Sequence, residues 1–181
     1  EAELAVVTNR VLRGPGCHLG TALAAIDIVL PAVEVIDSRY KDFRFDLKSV
    51  VADNTSAAAF VAGGRSMRPT DLDLPTLGVV MERNGEIVEL GAGAAVLGHP
   101  AASVAMLANM LAARGEEIPA GTFIMTGGIT AVVDGYGAYL HSGATIGTPP
   151  DSGSSAASGA ADGSARRAAG RMKIATAPSE W

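Results

Sequence analysis

A single glutamate interrupts an apolar stretch, Val29-Leu-Pro-Ala-Val-Glu34-Val-Ile36. A carboxylate among such neighbours costs several kcal/mol on burial unless something compensates it. Whatever this chain folds into must bring Glu34 a partner. The opening residues offer one. Glu1-Ala-Glu3-Leu-Ala-Val-Val reads as a strand, and side chains return to the same strand face every second residue. Glu1 and Glu3 therefore share a face. Alone they repel each other, and an E-x-E pair at a strand start also reads as a solvated edge. With Glu34 alongside on a neighbouring strand, three carboxylates would complete an all-oxygen site of the kind hard divalent ions such as Mg²⁺ or Mn²⁺ favour. Glu1, Glu3 and Glu34 are thus the candidate metal ligands.

At 181 residues the chain is long enough for one domain with a sizeable core. Its net charge of −5 and the lack of a basic patch argue against nucleic acid as a partner. One cysteine, Cys17, excludes an internal disulfide framework and suits a reducing cytoplasm. It lies in the turn-like Gly14-Pro-Gly-Cys-His and reads as an incidental loop thiol. No apolar run is expected to reach the ~18 residues of a membrane span, and no signal peptide is visible. The expectation is a cytoplasmic protein with no membrane partner.

Local patterns predict a strand over Glu1–Leu12, ended by Arg13-Gly-Pro-Gly16. Thr21 would cap a short helix, Ala22–Val29, stopped by Pro31. Ala32–Ile36 would be a short strand carrying Glu34, and Arg39–Lys48 a surface loop or lid. Asn84-Gly85 between Leu77–Glu82 and Glu86–Leu90 signals a hairpin over Thr76–Leu90. Ala101–Arg114 carries one apolar stripe, Val104, Leu107, Ala108 and Leu111, with Gly115 placed to end the helix. Thr122–Thr126 reads as a short buried strand. Strands outnumber helices without alternating with them, which predicts a mixed α+β fold rich in antiparallel sheet.

The character changes near Val133. Of the 29 residues 142–170, 24 are Gly, Ala, Ser, Thr or Pro, a composition with little apolar area to offset ordering entropy. The expected organisation is a catalytic domain over 1–132 and a low-complexity tail over 133–181, without regular structure from Ser142 to Gly170.

Four segments in order, E-A-E-L-A-V-V, L-P-A-V-E-V-I-D-S-R-Y-K-D-F-R-F, V-A-D-N-T-S and G-A-G-A-A-V-L-G-H-P, resemble the 2-hydroxypenta-2,4-dienoate hydratase and 4-oxalocrotonate decarboxylase group of the fumarylacetoacetate hydrolase superfamily. The likeness runs from Glu1 to about Thr130. It implies the superfamily's β-roll with flanking helices and a metal at its mouth. It implies that Ser56, in Ala52-Asp-Asn-Thr-Ser56, hydrogen-bonds a substrate carboxylate; on its own Ser56 reads as a turn or cap residue. It also implies that a catalytic lysine and aspartate lie upstream of Glu1, so that the chain is a fragment, and that the final strand pair of the roll is missing from the tail.

The activity implied is a metal-dependent hydratase in meta-cleavage degradation of aromatic or steroid rings. It would add water to a 2-hydroxy-2,4-dienoate to give a 4-hydroxy-2-oxo acid. The segment Lys41-Asp-Phe-Arg-Phe-Asp favours this over the alternative, a 4-oxalocrotonate-type 2-oxo-3-enedioate decarboxylase. A reading of another class is an inactive fragment or non-catalytic partner subunit. The expected partners are a small 2-hydroxydienoate or 2-oxo acid, further copies in a homo-oligomer, and a pathway decarboxylase or aldolase.

Other residues read as structural. Asp37 and Arg39 would form a local ion pair propping Glu34. Asp53 and Asn54 belong to a turn, Lys41 and Lys48 to the solvated surface, and His99 in Gly98-His-Pro to a helix-entry turn. His18 and His141 have no partner by motif. Gly91-Ala-Gly93 lacks the strand-to-helix setting of a phosphate loop, and no nucleophile elbow occurs.

Overall fold

The computed structural model describes residues 1–83, 85–133, 145–147 and 170–175. In chain order its elements are β1 (Ala2–Thr8), α1 (Leu19–Ala25), β2 (Ile26–Ile36), α2 (Leu47–Ala52), β3 (Ala57–Ala62), β4 (Gly78–Arg83), β5 (Glu86–Ala92), α3 (Pro100–Ala112), β6 (Phe123–Met125), β7 (Thr145–Gly147) and β8 (Gly170–Ala175). Two four-stranded sheets result, ordered β3-β2-β1-β6 and β5-β4-β8-β7. Every pairing is antiparallel except β7 with β8. The α+β, largely antiparallel expectation holds.

The first sheet positions the site. One face of β1, Ala2, Leu4 and Val6, packs with Val29 and Val33 of β2 and Ile124 of β6 into the core. Ala22 and Ala25 of α1 and Ala101, Val104 and Ala108 of α3 close over that face. By register the other face carries Glu1, Glu3, Ala5 and Val7, then Leu30, Ala32 and Glu34, with Phe60 on one edge strand and Phe123 on the other.

Several local expectations change. β1 stops at Thr8, and Leu12 makes only an isolated bridge to Ile118. The first helix begins at Leu19, capped by the His18 ring, which accepts from the Thr21 amide. It ends at Ala25, and Ile26–Val29 are already strand. Pro31 does not stop a helix but sits inside β2. Its carbonyl accepts from Gly63 just past the end of β3, so its missing N–H falls where ladder pairing runs out.

The hairpin of β4 and β5 forms as expected, though Asn84 lies outside the described residues. In α3, Val104 and Ala108 are buried and Leu107 and Leu111 pack against the core. The helix ends with the Glu116 amide reaching back to the Leu111 carbonyl and Gly115 at φ +73°. Gly93–Ala112 has the length and hydropathy of a membrane span, against expectation. Only its last 13 residues form α3, however, which is about 20 Å of helix against a ~30 Å hydrocarbon layer.

The stretch expected to lack regular structure contains β7, and β8 follows it. β8 pairs with β4 along Gly78–Arg83, so a closing strand for the second sheet is present after all. The rest of 134–181, including His141, lies outside the described residues.

Candidate metal centre

Glu1 and Glu34 face each other across β1 and β2. The Glu34 amide donates to the Glu1 carbonyl at 2.9 Å, and the Glu1 nitrogen donates to the Glu34 carbonyl at 3.0 Å. Directly opposed residues of an antiparallel pair present their side chains on one face. Glu3, two residues on, joins them. One carboxylate oxygen from each of the three lies within 4.8 Å of the others. The convergence expected from spacing is therefore the arrangement found.

Glu3 is only 3% exposed, while Glu1 and Glu34 are half-buried. Burial pushes Glu3 up to about 7; the Gly127 amide opposes that shift, and the Glu34 and Glu1 charges add to it. Burial, then the Glu1 charge, also raises Glu34. Three carboxylates held together at this depth gain from a cation and lose without one.

Residues just past β6 complete the cradle, and strand spacing alone does not reveal them. The Gly127 amide donates to Glu3 Oε2 at 2.9 Å. A Cβ on Gly128 would collide with Glu1 Oε2, so only glycine leaves that carboxylate its place. Thr130 Oγ1 accepts from the Ala2 amide at 3.0 Å, and Thr126 bonds the Leu4 carbonyl. The readable signal is the doublet in Thr126-Gly-Gly-Ile-Thr130 directly after an apolar strand. A hard, all-oxygen donor set with a glycine cradle fits Mg²⁺ or Mn²⁺.

Ser56 stands apart from the cluster. It is buried, its carbonyl accepts from the Asp37 amide, and its hydroxyl donates to Asp53 Oδ2 at 2.8 Å. Asp53 is the organiser of this region. It also accepts from the Ser38 hydroxyl at 3.1 Å, the Arg39 amide at 3.2 Å and the Arg39 guanidinium. The guanidinium foremost, then the Ser56 hydroxyl, holds the Asp53 carboxyl down at about 2. The expected Asp37–Arg39 pair is thus corrected: Arg39 pairs with Asp53, fourteen residues on, because that buried carboxylate gathers several donors at once.

The remaining candidates are structural. His99 caps α3, its Nδ1 accepting from the Ala101 amide at 3.0 Å, and burial lowers its pKa, as suits a neutral acceptor. Asn109 bonds the Cys17 amide and carbonyl at 2.9 and 2.8 Å, so the thiol is buried against α3 rather than loose. Gly93 packs against the Leu74 carbonyl and offers no phosphate-loop geometry. The 39–48 segment is exposed, with the Phe45 ring beside both Tyr40 and Phe43.

A curled, largely antiparallel sheet with a few helices is the fumarylacetoacetate hydrolase type of fold. The chain belongs to that family: residues 1–151 match its fumarylacetoacetate (FAA) hydrolase C-terminal domain. A 4-oxalocrotonate decarboxylase from Pseudomonas putida is 71% identical over 133 residues, 74% of this chain and 50% of that protein. A 2-hydroxypent-2,4-dienoate hydratase from Pseudomonas putida is 43% identical over 111 residues, 61% of this chain and 50% of that protein. The solved structure of 4-oxalocrotonate decarboxylase from Pseudomonas putida G7, complexed with magnesium and adipate, superposes with a TM-score of 0.70 at 71% identity, covering 72% of this chain and 50% of that one. The chain thus spans about half the length of the relatives it matches.

Proposed function

We propose that this chain is the metal-holding half of a 4-oxalocrotonate-type 2-oxo-3-enedioate decarboxylase. One observation carries the reading: identity to decarboxylases reaches 71%, against 43% for the hydratase. This reverses the order expected from the Lys41–Asp46 segment, which favoured the hydratase. The segment lies on the exposed surface.

Glu1, Glu3 and Glu34 would hold a divalent ion. That ion would supply Lewis-acid withdrawal of charge from the C1 carboxylate and C2 oxygen of a 2-oxo acid as the distal carboxylate leaves as CO₂. The chain's own residues set up the site. The Gly127 amide orients the Glu3 carboxylate, and Gly128 leaves room for Glu1. To bind a substrate carboxylate, Ser56 would turn its single hydroxyl proton from Asp53 Oδ2 to the substrate, while the Ser38 hydroxyl and Arg39 keep Asp53 bonded. Proton transfers would fall to the lysine and aspartate that the family resemblance puts upstream.

Hydration of a 2-hydroxy-2,4-dienoate stays as the second reading, supported by the hydratase relatives. Both reactions need the same stabilised enolate, so the glutamates suit either. A protein spanning the relatives' full length should be given Mg²⁺ and offered 4-oxalocrotonate and 2-hydroxypenta-2,4-dienoate in turn. The decarboxylase reading expects faster CO₂ release from the diacid, abolished by EDTA. Preferential hydration of the dienoate would transfer the assignment, and turnover insensitive to EDTA would remove the metal from it.

A further inference from the structure

Phe60 and Phe123 lie at diagonally opposite corners of the first sheet. Phe60 is on edge strand β3, directly opposite Glu34; Phe123 is on the other edge strand, β6, opposite Val7 at the far end of β1. In a flat sheet three strand spacings alone, at about 4.8 Å each, would keep them far apart. Their rings instead stack, with centroids 5.2 Å apart and planes 24° from parallel. Both residues belong to the glutamate-bearing face by register. The sheet therefore coils so that these two corners fold toward each other over that face. Beneath the fold lie Ala5 and Ala32, both completely buried.

The stack is nonetheless not core. Phe60 is 56% exposed and Phe123 half-buried. An exposed aromatic pair over a concave face, with one member the cross-strand neighbour of a carboxylate in the cluster, is an apolar wall beside a polar anchor. Cross-strand partners hold their Cβ atoms about 4.5–5.5 Å apart, so the wall begins where Glu34 ends. Binding sites for small organic acids combine these same two elements: a few polar groups that fix one end, and apolar surface for the rest.

We propose that the Phe60–Phe123 stack is the specificity-determining wall of the site, receiving the unsaturated carbon chain of a 2-oxo acid whose chelating end is anchored at the Glu1, Glu3 and Glu34 cluster. An extended, unbranched chain, saturated or not, lies along such a pair, whereas a branched chain does not. The inference rests on the proposed metal-anchored 2-oxo acid site and adds the residues that select among such acids.

Two probes separate the anchor from the wall. Oxalate carries the chelating 1,2-dioxygen end and no carbon chain; 2-oxohexanedioate carries both and has no double bond to react. Calorimetric titrations use the Mg²⁺-loaded 181-residue chain as wild type, Phe60→Ala and Phe123→Leu. The expected result is a loss of about tenfold in 2-oxohexanedioate affinity in Phe60→Ala, the usual scale for removing a stacked ring from a contact. Phe123→Leu should lose less, and oxalate and Mg²⁺ affinities should stay at the wild-type values in both. Equal loss for oxalate and the longer acid would mean the rings serve only the fold, and overturns the proposal. Unchanged binding of the longer acid overturns it as well. Should the wild-type chain bind Mg²⁺ but neither acid, the underlying site reading fails first, and the wall falls with it.

Discussion

The glutamate cluster and the segment around Ser56 sit at the same end of the first sheet, yet they are held by different means. The cluster is fixed by backbone. Glu1 and Glu34 are locked by reciprocal main-chain hydrogen bonds, and Glu3 follows from the strand repeat. Ser56 has main-chain bonds to Asp37 and Asp53, but its hydroxyl is placed by a side-chain network. It lies in a 3-10 turn where Asn54, Thr55 and Ser56 all have positive φ, a conformation costing roughly 1–2 kcal/mol per residue. A single buried carboxylate, Asp53, gathers the hydroxyls and the guanidinium that keep this turn in place. The positions proposed to hold an ion are set by strand register; the position proposed to meet substrate rests on a network that one substitution can retune.

The contrast predicts that metal affinity will answer to the strand half alone. The largest effect is pH. With Glu3 raised to about 7, an ion must displace a proton below that value, so Mg²⁺ or Mn²⁺ affinity should fall up to about tenfold per pH unit from pH 7 toward 5. Calorimetry in buffers of different ionisation enthalpy would show the released proton; a flat profile would break the assignment of Glu3. The sign for stability is opposite to that of a usual carboxylate. Glu3 is raised, so its burial costs the metal-free fold nothing below its ordinary value of 4.5, and the cost grows as pH climbs through about 7. Asp53 is depressed to about 2, so its contribution is full above its ordinary range and lost only as pH drops toward that value. Thermal melts with and without Mg²⁺ separate the two windows.

Glu34→Gln comes next. It keeps volume and removes one ligand charge, and should weaken Mg²⁺ binding by about tenfold or more while the chain stays folded. Gly128→Ala should act in the same direction but less, since Glu1 can swing aside from the new methyl; wild-type affinity in this variant would show that Glu1 is not a ligand. Asp53→Asn should move metal affinity least of all. It should lower the melting temperature and weaken binding of 2-oxo acids through Ser56, and Ser56→Ala should reproduce the second effect, at roughly 1–3 kcal/mol, with a smaller drop in melting temperature because Asp53 keeps its Ser38 and Arg39 donors. A large loss of Mg²⁺ binding in Asp53→Asn would erase the distinction between the two halves.

What is legible in the chain follows the same division. Strand alternation puts Glu1 and Glu3 on one face, and the apolar setting singles out Glu34; the family resemblance joins the three, since the E-x-E spacing alone also reads as a solvated edge. The hairpin at β4 and β5 and the stripe of α3 are equally plain. β2 is not. Ile26–Val29 reads as helix because Thr21 and Pro31 look like its start and stop, whereas the proline sits where β3 no longer pairs. Arg39 reads as the partner of Asp37, its near neighbour, since no local pattern reveals a carboxylate fourteen residues away. The Gly127–Gly128 cradle escapes a linear reading because its meaning lies in how closely another strand's carboxylate passes. β7 and β8 escape it because composition alone masks short strands that another strand recruits.

The reciprocal Glu1–Glu34 pairing gives the ion a role in folding. Slide β1 by one residue against β2 and Glu1 and Glu3 turn to the opposite side of the sheet from Glu34; slide it by two and Glu1 faces a different row. The one-residue slip therefore leaves no three-oxygen site for a cation. An ion that binds the native alignment and not the slipped one lowers the native free energy in proportion to the logarithm of ion concentration. Divalent cations in the surrounding medium would thereby proofread strand alignment as the sheet forms, before any substrate arrives.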